Sequence, residues 1–333
     1  MNVSYRSHKG VILDISKGGF DSGAATFASV FCDKEYSDEY FMFYIGAPVK
    51  KWSETSIGLA TSKDGLNFKK FDKPILDAKD LYLREVATPV VWRVGNYLYM
   101  AFAGSPYGKG RRIMLTYSDD PKGPWKFLKV LAEPEYLWEG TDIDLGPSVA
   151  RVSENEFLLY YSNVSNKLEE RLFRPRWWFA PKFWLRRIGI LKLKIKSPLN
   201  VEVSKFDGNP LRHLNGDKGS WNESLFCPGY LRMGGCHYLF TAASTYSTGF
   251  PYKQYIGLVI DSSPYFTKSS TVRILVDGPK EKFSIIPSIR GEIALDTPCP
   301  VLKDGFIYLY YAVMDRADEV WKTALSVFSI SNK

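Results

Sequence analysis

Short segments in which apolar and polar residues alternate run along almost the whole chain, and they predict β-strands. The segments recur as a unit with a small-residue or proline start, an apolar strand, a polar or glycine-containing turn and an aromatic strand. Two strands joined by a tight turn are typical of a β-hairpin. The five copies read FASVFCDKEYSDEYFMFYIG, ATPVVWRVGNYLYMAFAG, LGPSVARVSENEFLLYYSN, FCPGYLRMGGCHYLFTAAS and DTPCPVLKDGFIYLYYAV.

A third apolar strand follows most copies, for example SIGLATSKD and RIMLTYSDD. Units of three or four antiparallel strands that repeat radially are typical of a β-propeller. We therefore predict an all-β fold, with residues 1–333 forming a single five-bladed β-propeller. A β-sandwich or separate β domains explain the repeated order of the segments less well.

One interval between the repeats is longer than the two before it. The equivalent positions Tyr161 and Ala242 lie about 22 residues further apart than Tyr44 and Phe102. We therefore predict an insertion in blade three, after its second strand, over residues 166–188. Its aromatic residues include Trp177, Trp178 and Trp184, and its basic residues from position 171 onwards are Arg171, Arg174, Arg176, Lys182, Arg186 and Arg187.

This insertion holds most of the net charge of +8, so a distributed nucleic-acid surface is not indicated. The segment 171–188 could be a lid over the channel mouth, an oligomer contact, or an insertion folded against the protein's own surface. It could also lie on an anionic membrane surface, with tryptophan in the headgroup region and arginine on anionic lipid. Basic residues interleaved with tryptophan, without acids, favour the membrane contact over a plain surface insertion.

The composition indicates in which cellular compartment the protein acts and which cofactors it could bind. The start MNVSYRSHKG lacks the apolar core of a signal peptide, and no window holds eighteen uninterrupted apolar residues. The four cysteines contain no CxxC pair, and the chain has only three histidines. We predict a cytoplasmic protein that binds no metal and needs no cofactor, and a peripheral position at the inner face of the membrane is the alternative.

Acidic residues tend to precede the repeat starts, where the inner strands of a propeller surround one mouth of the channel. Crowded carboxylates raise the pKa of at least one member. A protonated acid beside an ionised base can cleave a glycosidic bond, and inversion places the two roughly 6.5–9.5 Å apart. Taken singly, each acid could instead be a turn or capping residue. The acids are Asp21, Glu85, Asp142, Asp144, Glu223, Glu292 and Asp296.

Three segments carry a resemblance to a known superfamily: IGLATSKDGLNFKKFDKPIL, YSDDPKGPWKF and WNESLFCPGYL. They resemble the blade endings and the acid-bearing strand of the five-bladed propeller glycosidases, chiefly glycoside hydrolase families 43 and 130, and more distantly 32, 68 and 117. The resemblance to family 43 implies Asp21 as general base, Asp144 as modulator of the acid's pKa and Glu223 as general acid. Blade one has Thr26-Phe27-Ala28 where that family has Asp-Pro.

The resemblance to family 130 implies a single acid and basic residues that hold phosphate, for which Arg84 or Arg316 could serve. Trp138 and Trp221 could stack on sugars, or pack between blades. Arg316 and Trp321 follow the last aromatic strand and could line the same mouth. The substrate-binding candidates are Arg84, Glu85, Trp138, Asp142, Trp221, Asp296 and Arg316.

The resemblance and the acids together predict a glycoside hydrolase that acts on a carbohydrate by an inverting acid/base mechanism. A first alternative is a membrane-associated, furanosyltransferase-like glycosyltransferase that uses a glycosyl donor in cell-surface polysaccharide or lipid-linked glycan synthesis. A glycoside phosphorylase is also open. A further alternative is a non-catalytic carbohydrate-binding propeller, since a fold does not by itself define a function.

Overall fold

The computed structural model describes residues 2–49, 54–165, 185–245, 254–277, 293–315 and 320–331. This part of the chain is nearly all β, with three 3-10 helices at Ala78–Leu81, Leu137–Glu139 and Arg212–Leu214. No helix within it is long and apolar enough to cross a membrane. The strands are β1 Asn2–Leu13, β2 Ala24–Phe31, β3 Tyr40–Ala47, β4 Ser56–Ser62, β5 Lys69–Lys70, β6 Leu76–Asp77, β7 Leu83–Val94, β8 Tyr97–Pro106, β9 Arg112–Ser118, β10 Lys126–Ala132, β11 Asp142–Arg151, β12 Glu156–Ser165, β13 Ile188–Ser197, β14 Asn200–Lys205, β15 Ser224–Met233, β16 Cys236–Ser244, β17 Gln254–Asp261, β18 Thr271–Asp277, β19 Ile293–Lys303, β20 Phe306–Asp315 and β21 Trp321–Ser331.

The described strands form three four-stranded sheets and one larger sheet. The orders are β10-β9-β8-β7, β11-β12-β13-β14, β15-β16-β17-β18 and β19-β20-β21-β2-β3-β4-β5, with β1 on β21 and β6 on β4. In the larger sheet a single parallel pair, Ala24 with Trp321, joins β2 to β21. Divided there, it gives a group β2–β6 and a group of β19–β21 with β1. The all-β propeller is confirmed, and the count of five blades stays a prediction that this division supports.

The first strands of the groups contact one another in the cyclic order β2, β7, β11, β15, β19 and back to β2. The amino-terminal strand β1 pairs with β21 from Asn2 to Leu13 and so forms the outer strand of the last group. Hydrophobic clusters fill the space between neighbouring groups. One of them joins Trp92 and Tyr99 of the second group to Phe157 and Tyr161 of the third.

Each first strand carries a bulge at a corresponding place in its pairing. The irregularities follow Thr26, Ala87, Leu145, Phe226 and Asp296. Four bulges contain a non-glycine residue in the left-handed region, which is strained for L-residues. These residues are Phe27 (φ 49°), Thr88 (φ 44°), Cys227 (φ 44°) and Thr297 (φ 44°).

The third bulge instead contains Gly146, where the backbone of the neighbouring first strand leaves no space for a side chain. A Cβ at Gly146 would collide with the carbonyl oxygen of Pro228. The third group also contains the predicted insertion site, because residues 166–187 connect the adjacent antiparallel strands β12 and β13. Ile188, the last residue of the predicted insertion, already belongs to β13, and residues 166–184 lie outside the described residues.

Candidate active site

A cavity of about 360 Å³ lies beside the bulges of the first strands, and we refer to it as the central cavity. All four strained bulge residues line it, so the cavity occupies the end of the ring where the first strands turn. A volume of this size suits a small ligand. Its lining consists of Phe27, Ile45, Thr55, Glu85, Val86, Ala87, Thr88, Arg111, Asp144, Val164, Arg186, Cys227, Asp296, Thr297 and Trp321.

Asp144 is buried on the wall of this cavity and is surrounded by hydrogen-bond donors. Its Oδ1 accepts hydrogen bonds from the Thr88 hydroxyl and from the Leu145 N–H (2.9 Å). Its Oδ2 accepts a hydrogen bond from the Arg111 guanidinium, with which it forms an ion pair. Since a carboxylate offers about four lone-pair positions, these three donors leave one position for a water molecule or a sugar hydroxyl.

Glu85 shares Arg111 with Asp144. Its Oε1 lies 3.0 Å from Arg111 Nε, 2.7 Å from the Ser105 hydroxyl and 3.2 Å from Arg84 Nη2. Burial would raise the pKa of Glu85, but Arg111, with the help of Ser105 and Arg84, holds it below its ordinary value. Arg111 is thus a cation whose charge is balanced by two carboxylates.

Asp296 is half-buried, and the pKa of its carboxyl group is shifted in the opposite direction from that of Glu85. Its Oδ1 accepts hydrogen bonds from the N–H (2.7 Å) and the hydroxyl (3.1 Å) of Thr297, and the Cys227 thiol also donates to it. Burial raises the pKa of Asp296 above its ordinary value, although Arg186, Cys227 and Thr297 act to lower it. The cavity therefore combines one carboxyl group that tends to keep its proton with the ionised Glu85.

Asp144 and Asp296 occupy the same place in the pairing of their strands. Asp144 lies opposite Ser162 and Asp296 opposite Ala312, the residues that follow the equivalent tyrosines Tyr161 and Tyr311. Their side chains therefore face the same cavity from different groups of strands.

Arg186 enters the cavity from the described end of the predicted insertion. Its N–H donates to the Ser224 hydroxyl (2.9 Å), and its guanidinium carbon lies 4.4 Å from the centroid of the Phe226 ring. Among the residues that the structure describes, Arg111 forms ion pairs with two carboxylates and Arg186 forms an ion pair with none. Arg186, which the sequence predicts to belong to a membrane contact or a lid, lies on the cavity wall with Asp296, and both assignments stay predictions.

Asp21, the general base implied by the resemblance, does not line the central cavity. Its side chain is 3% exposed, and its Oδ2 lies 2.6 Å from Lys70 Nζ and 3.0 Å from the Tyr44 hydroxyl. Burial, together with the Asp21 charge, raises the pKa of Tyr44. The carboxylate is thus engaged by a lysine from the outer strand and a tyrosine from the middle strand of its own group.

The third group repeats this arrangement with Glu139. The Glu139 side chain is fully buried, with Oε1 2.5 Å from the Tyr161 hydroxyl and Oε2 2.8 Å from Lys205 Nζ. Tyr161 is the equivalent of Tyr44, and Lys205 again comes from an outer strand. Because the same triad of acid, tyrosine and lysine recurs at Glu139, a residue without a catalytic assignment, Asp21 has the surroundings of a structural residue.

Glu223, the general acid implied by the resemblance, is also buried outside the cavity lining. Its Oε2 accepts a hydrogen bond from the Gly219 N–H (2.9 Å). Of the three residues with implied catalytic roles, only Asp144 lines the central cavity. The roles implied for Asp21 and Glu223 stay predictions, and neither side chain lines this cavity.

Two further polar candidates lie behind the cavity. The Asp142 carboxylate accepts hydrogen bonds from the Arg111 N–H (2.9 Å) and the Thr141 hydroxyl (2.5 Å), so it fixes the backbone that carries Arg111. The Arg84 side chain is 47% exposed and forms an ion pair with Glu85, which lines the cavity. Neither residue is part of the lining.

Both tryptophans that the sequence offers for stacking on sugars make packing contacts within the protein. Trp138 is buried in a core cluster, with its ring 5.6 Å from that of Tyr161. Trp221 packs edge-on against Tyr255, with ring centroids 6.2 Å apart. Their alternative assignment to packing between strands therefore fits the described contacts.

Arg187 follows Arg186, and its N–H donates to Asn163 Oδ1 (2.7 Å). The remaining candidates of the insertion and its surroundings lie outside the described residues. They are Trp177, Trp178, Trp184 and Arg316.

Sequence reasoning missed Arg111, Thr88, Cys227 and Phe27 as parts of the site. For three of them a signal existed, because Thr88, Cys227 and Phe27 hold one position in the aligned repeats, directly before Pro89, Pro228 and Ala28. Arg111 carries no such signal, since it lies on the loop between β8 and β9. Among the described residues, no group of three or more His, Cys, Asp or Glu side chains could hold a metal ion.

Comparisons with known proteins find a partial match in sequence and several matches in fold. The chain matches no protein-family model. Over 106 residues it is 37% identical to a β-1,2-mannobiose phosphorylase of Thermoanaerobacter sp. (strain X514). This match covers 29% of the chain and 34% of that protein, so the chain matches about a third of the length of this relative.

Solved structures match over nearly the full length. A Bacillus subtilis arabinanase has a TM-score of 0.58 at 15% identity, covering 97% of this chain and all of that one. A family 117 glycoside hydrolase of Zobellia galactanivorans has a TM-score of 0.61 at 14% identity, with 99% and 91% covered. A glycosyl hydrolase from Bacteroides ovatus has a TM-score of 0.67 at 11% identity, with 98% and 93% covered. The protein thus has the fold of the β-propeller glycoside hydrolases.

Proposed function

We propose that the protein cleaves glycosidic bonds in the central cavity, with Asp296 as the proton donor to the departing sugar oxygen. The observation that carries this proposal is a carboxyl group with a raised pKa in the same cavity as the ionised Glu85, where strained residues also line the wall. Strained backbone often clusters at active sites. The likeness to glycoside hydrolase propellers adds support through the fold.

Asp296 is arranged to deliver a proton from one defined oxygen. Thr297 donates two hydrogen bonds to Oδ1, which leaves Oδ2 as the atom that carries the proton. When the glycosidic bond breaks, the proton moves from Oδ2 to the leaving oxygen and Asp296 becomes a carboxylate. Arg186 then stabilises the new charge, since it already acts on the pKa of Asp296.

The attacking group in our proposal is a water molecule. Asp144 has one acceptor position free beside its three donors, so it can bind that water and accept its proton. This hydrolysis gives inversion if the two carboxyl groups stand on opposite sides of the bond at the separation that leaves room for water.

A second candidate, phosphorolysis, is supported by two observations. Arg186 has no ion-pair partner among the described carboxylates, and the chain resembles a β-1,2-mannobiose phosphorylase over part of its length. Phosphate held by Arg186 would replace water as the attacking group. The glycosyltransferase and membrane alternatives depend on residues 171–188, most of which lie outside the described residues.

The test compares the wild type with Asp296→Asn on β-1,2-mannobiose and on 4-nitrophenyl mannoside, xyloside, arabinofuranoside and galactofuranoside, with and without phosphate. Loss of a proton donor lowers kcat by about 10²–10⁴-fold on the disaccharide. The loss is far smaller on the aryl glycosides, because nitrophenolate leaves without a proton. Asp304→Asn, at an exposed turn, is the matched control.

Turnover without phosphate indicates a hydrolase, and turnover only with phosphate indicates a phosphorylase. Equal losses on both classes of substrate would refute Asp296 as proton donor. Sugar binding without any turnover would indicate the non-catalytic module.

A further inference from the structure

Two aromatic side chains form part of the wall of the central cavity. Phe27 lies in the first bulge and Trp321 begins β21, and their ring centroids are 5.2 Å apart at an interplanar angle of 43°. Both side chains are half-buried and both line the cavity. Trp321 belongs to none of the hydrophobic clusters of the described chain, whereas Phe27 packs against one of them.

The backbone at Phe27 shows that an aromatic residue here is not a requirement of the fold. Its φ of 49° is an outlier for a bulky residue. The corresponding positions of the other bulges hold Thr88, Gly146, Cys227 and Thr297, so a small side chain suffices to build the bulge. Strain of this kind persists where the surrounding structure holds it, often at ligand sites.

The aromatic pair lies on the seam next to the proposed proton donor. The backbone pair between Ala24 and Trp321 fixes the start of β21 against β2, three residues before Phe27. The first strand of the last group, β19, carries Asp296 and contacts β2. The two rings and Asp296 therefore line the cavity from neighbouring strands.

From this arrangement we infer that Phe27 and Trp321 form a sugar-stacking subsite, which holds the apolar face of a neutral sugar ring while its glycosidic oxygen meets Asp296. Large aromatic rings supply much contact area at low entropic cost, which suits them to such a surface. The inference rests on the proposed function, because it assigns the glycosidic bond to Asp296. It replaces Trp138 and Trp221 as the stacking residues, since both pack within the protein.

The test measures sugar binding separately from turnover. β-1,2-Mannobiose and a xylose disaccharide are titrated calorimetrically into Asp296→Asn, which should bind sugar without cleaving it. When each is added to Asp296→Asn, we expect Trp321→Ala and Phe27→Gly to raise the Kd at least tenfold. Trp321→Phe keeps a ring and should stay within about threefold. Thermal unfolding of each variant checks that the fold is intact, and Phe27→Gly also relieves the backbone strain.

A second measurement uses Trp321 as a probe. The change in tryptophan fluorescence on adding sugar should be largely lost in Trp321→Phe, although that variant still binds. Unchanged Kd values in the folded variants would overturn the subsite and leave the proposed function standing. If the wild type neither binds a sugar nor turns over any glycoside, both the subsite and the proposed function are overturned. Weakened Kd values together with turnover that does not need Asp296 would support the subsite and contradict the proton donor.

Discussion

The substitution Asp21→Asn separates a structural from a catalytic role for this residue. The amide keeps the shape of the side chain but removes the charge that faces Lys70 Nζ at 2.6 Å and the Tyr44 hydroxyl at 3.0 Å. Breaking a buried ion pair costs about 3–5 kcal/mol because the remaining charge is left uncompensated. The Lys70 side chain is 20% exposed, so water solvates part of the freed ammonium. We therefore expect a loss of about 2–3 kcal/mol of unfolding free energy.

The assay combines urea unfolding, followed by tryptophan fluorescence, with kcat measured well below the unfolding transition. The loss of stability corresponds to a Tm lowered by roughly 3–4 °C for a chain of this size. The value of kcat per folded molecule should stay within a few-fold of the wild type. A general base, in contrast, contributes about 10²–10⁴-fold to the rate.

Glu139→Gln is the matched comparison, since Glu139 occupies the same kind of triad with Tyr161 and Lys205. We expect it to lower stability by at least as much as Asp21→Asn, because its side chain is fully buried and that of Lys205 is only 9% exposed. A stable Asp21→Asn variant whose kcat falls a hundredfold or more would refute the structural role of Asp21.

Three further predictions concern titrating groups. Cys227→Ala removes a hydrogen bond that lowers the pKa of Asp296, so the alkaline limb of the kcat/KM profile should move to higher pH. Cys227→Ser should return the limb to its wild-type position. A limb that does not move in Cys227→Ala would contradict the contact. Arg111→Gln removes the main cause that lowers the pKa of Glu85. In the wild type, Glu85 contributes stability above about pH 4.3, and this contribution is lost as the pH falls through the lower pKa of the folded state. The unfolding free energy of Arg111→Gln, measured in urea, should therefore depend less on pH between pH 3 and 5. Burial lowers the pKa of His8, so the unfolded chain binds the proton more readily and stability should fall as the pH drops below about 6.5. Replacing His8 by Asn should flatten that part of the Tm profile, and an unchanged profile would assign it to another group.

The strands and their repeated order follow from local sequence. A strand exposes alternate residues on opposite faces, so period-two segments and turn residues such as Gly95 and Gly305 mark the hairpins directly. The resemblance of three short segments then predicted a propeller of the glycosidase type, and the structural comparisons agree with that fold.

The sequence alone also located Asp144, Glu85 and Asp296, because it placed acids before inner strands. It could not select Asp296, the proton donor that we propose, over Asp21 and Glu223. That choice depends on strand register and on distant partners. Asp296 sits one residue before a bulge and faces the cavity, whereas Asp21 lies before its strand and binds Lys70, 49 residues away.

The alternating pattern, the hairpins, the repeat and the zone of acids are thus properties of the local sequence, because each depends on residues a few positions apart. Which residues come together in the candidate active site is decided by the tertiary structure. Arg111 balances two carboxylates from different strands, and Phe27 meets Trp321 across the seam between the first and last groups. Burial and charge balance depend on all the strands that surround a side chain, and in our proposal they make Asp296 the carboxyl group that keeps its proton and Asp21 a residue that holds the fold together.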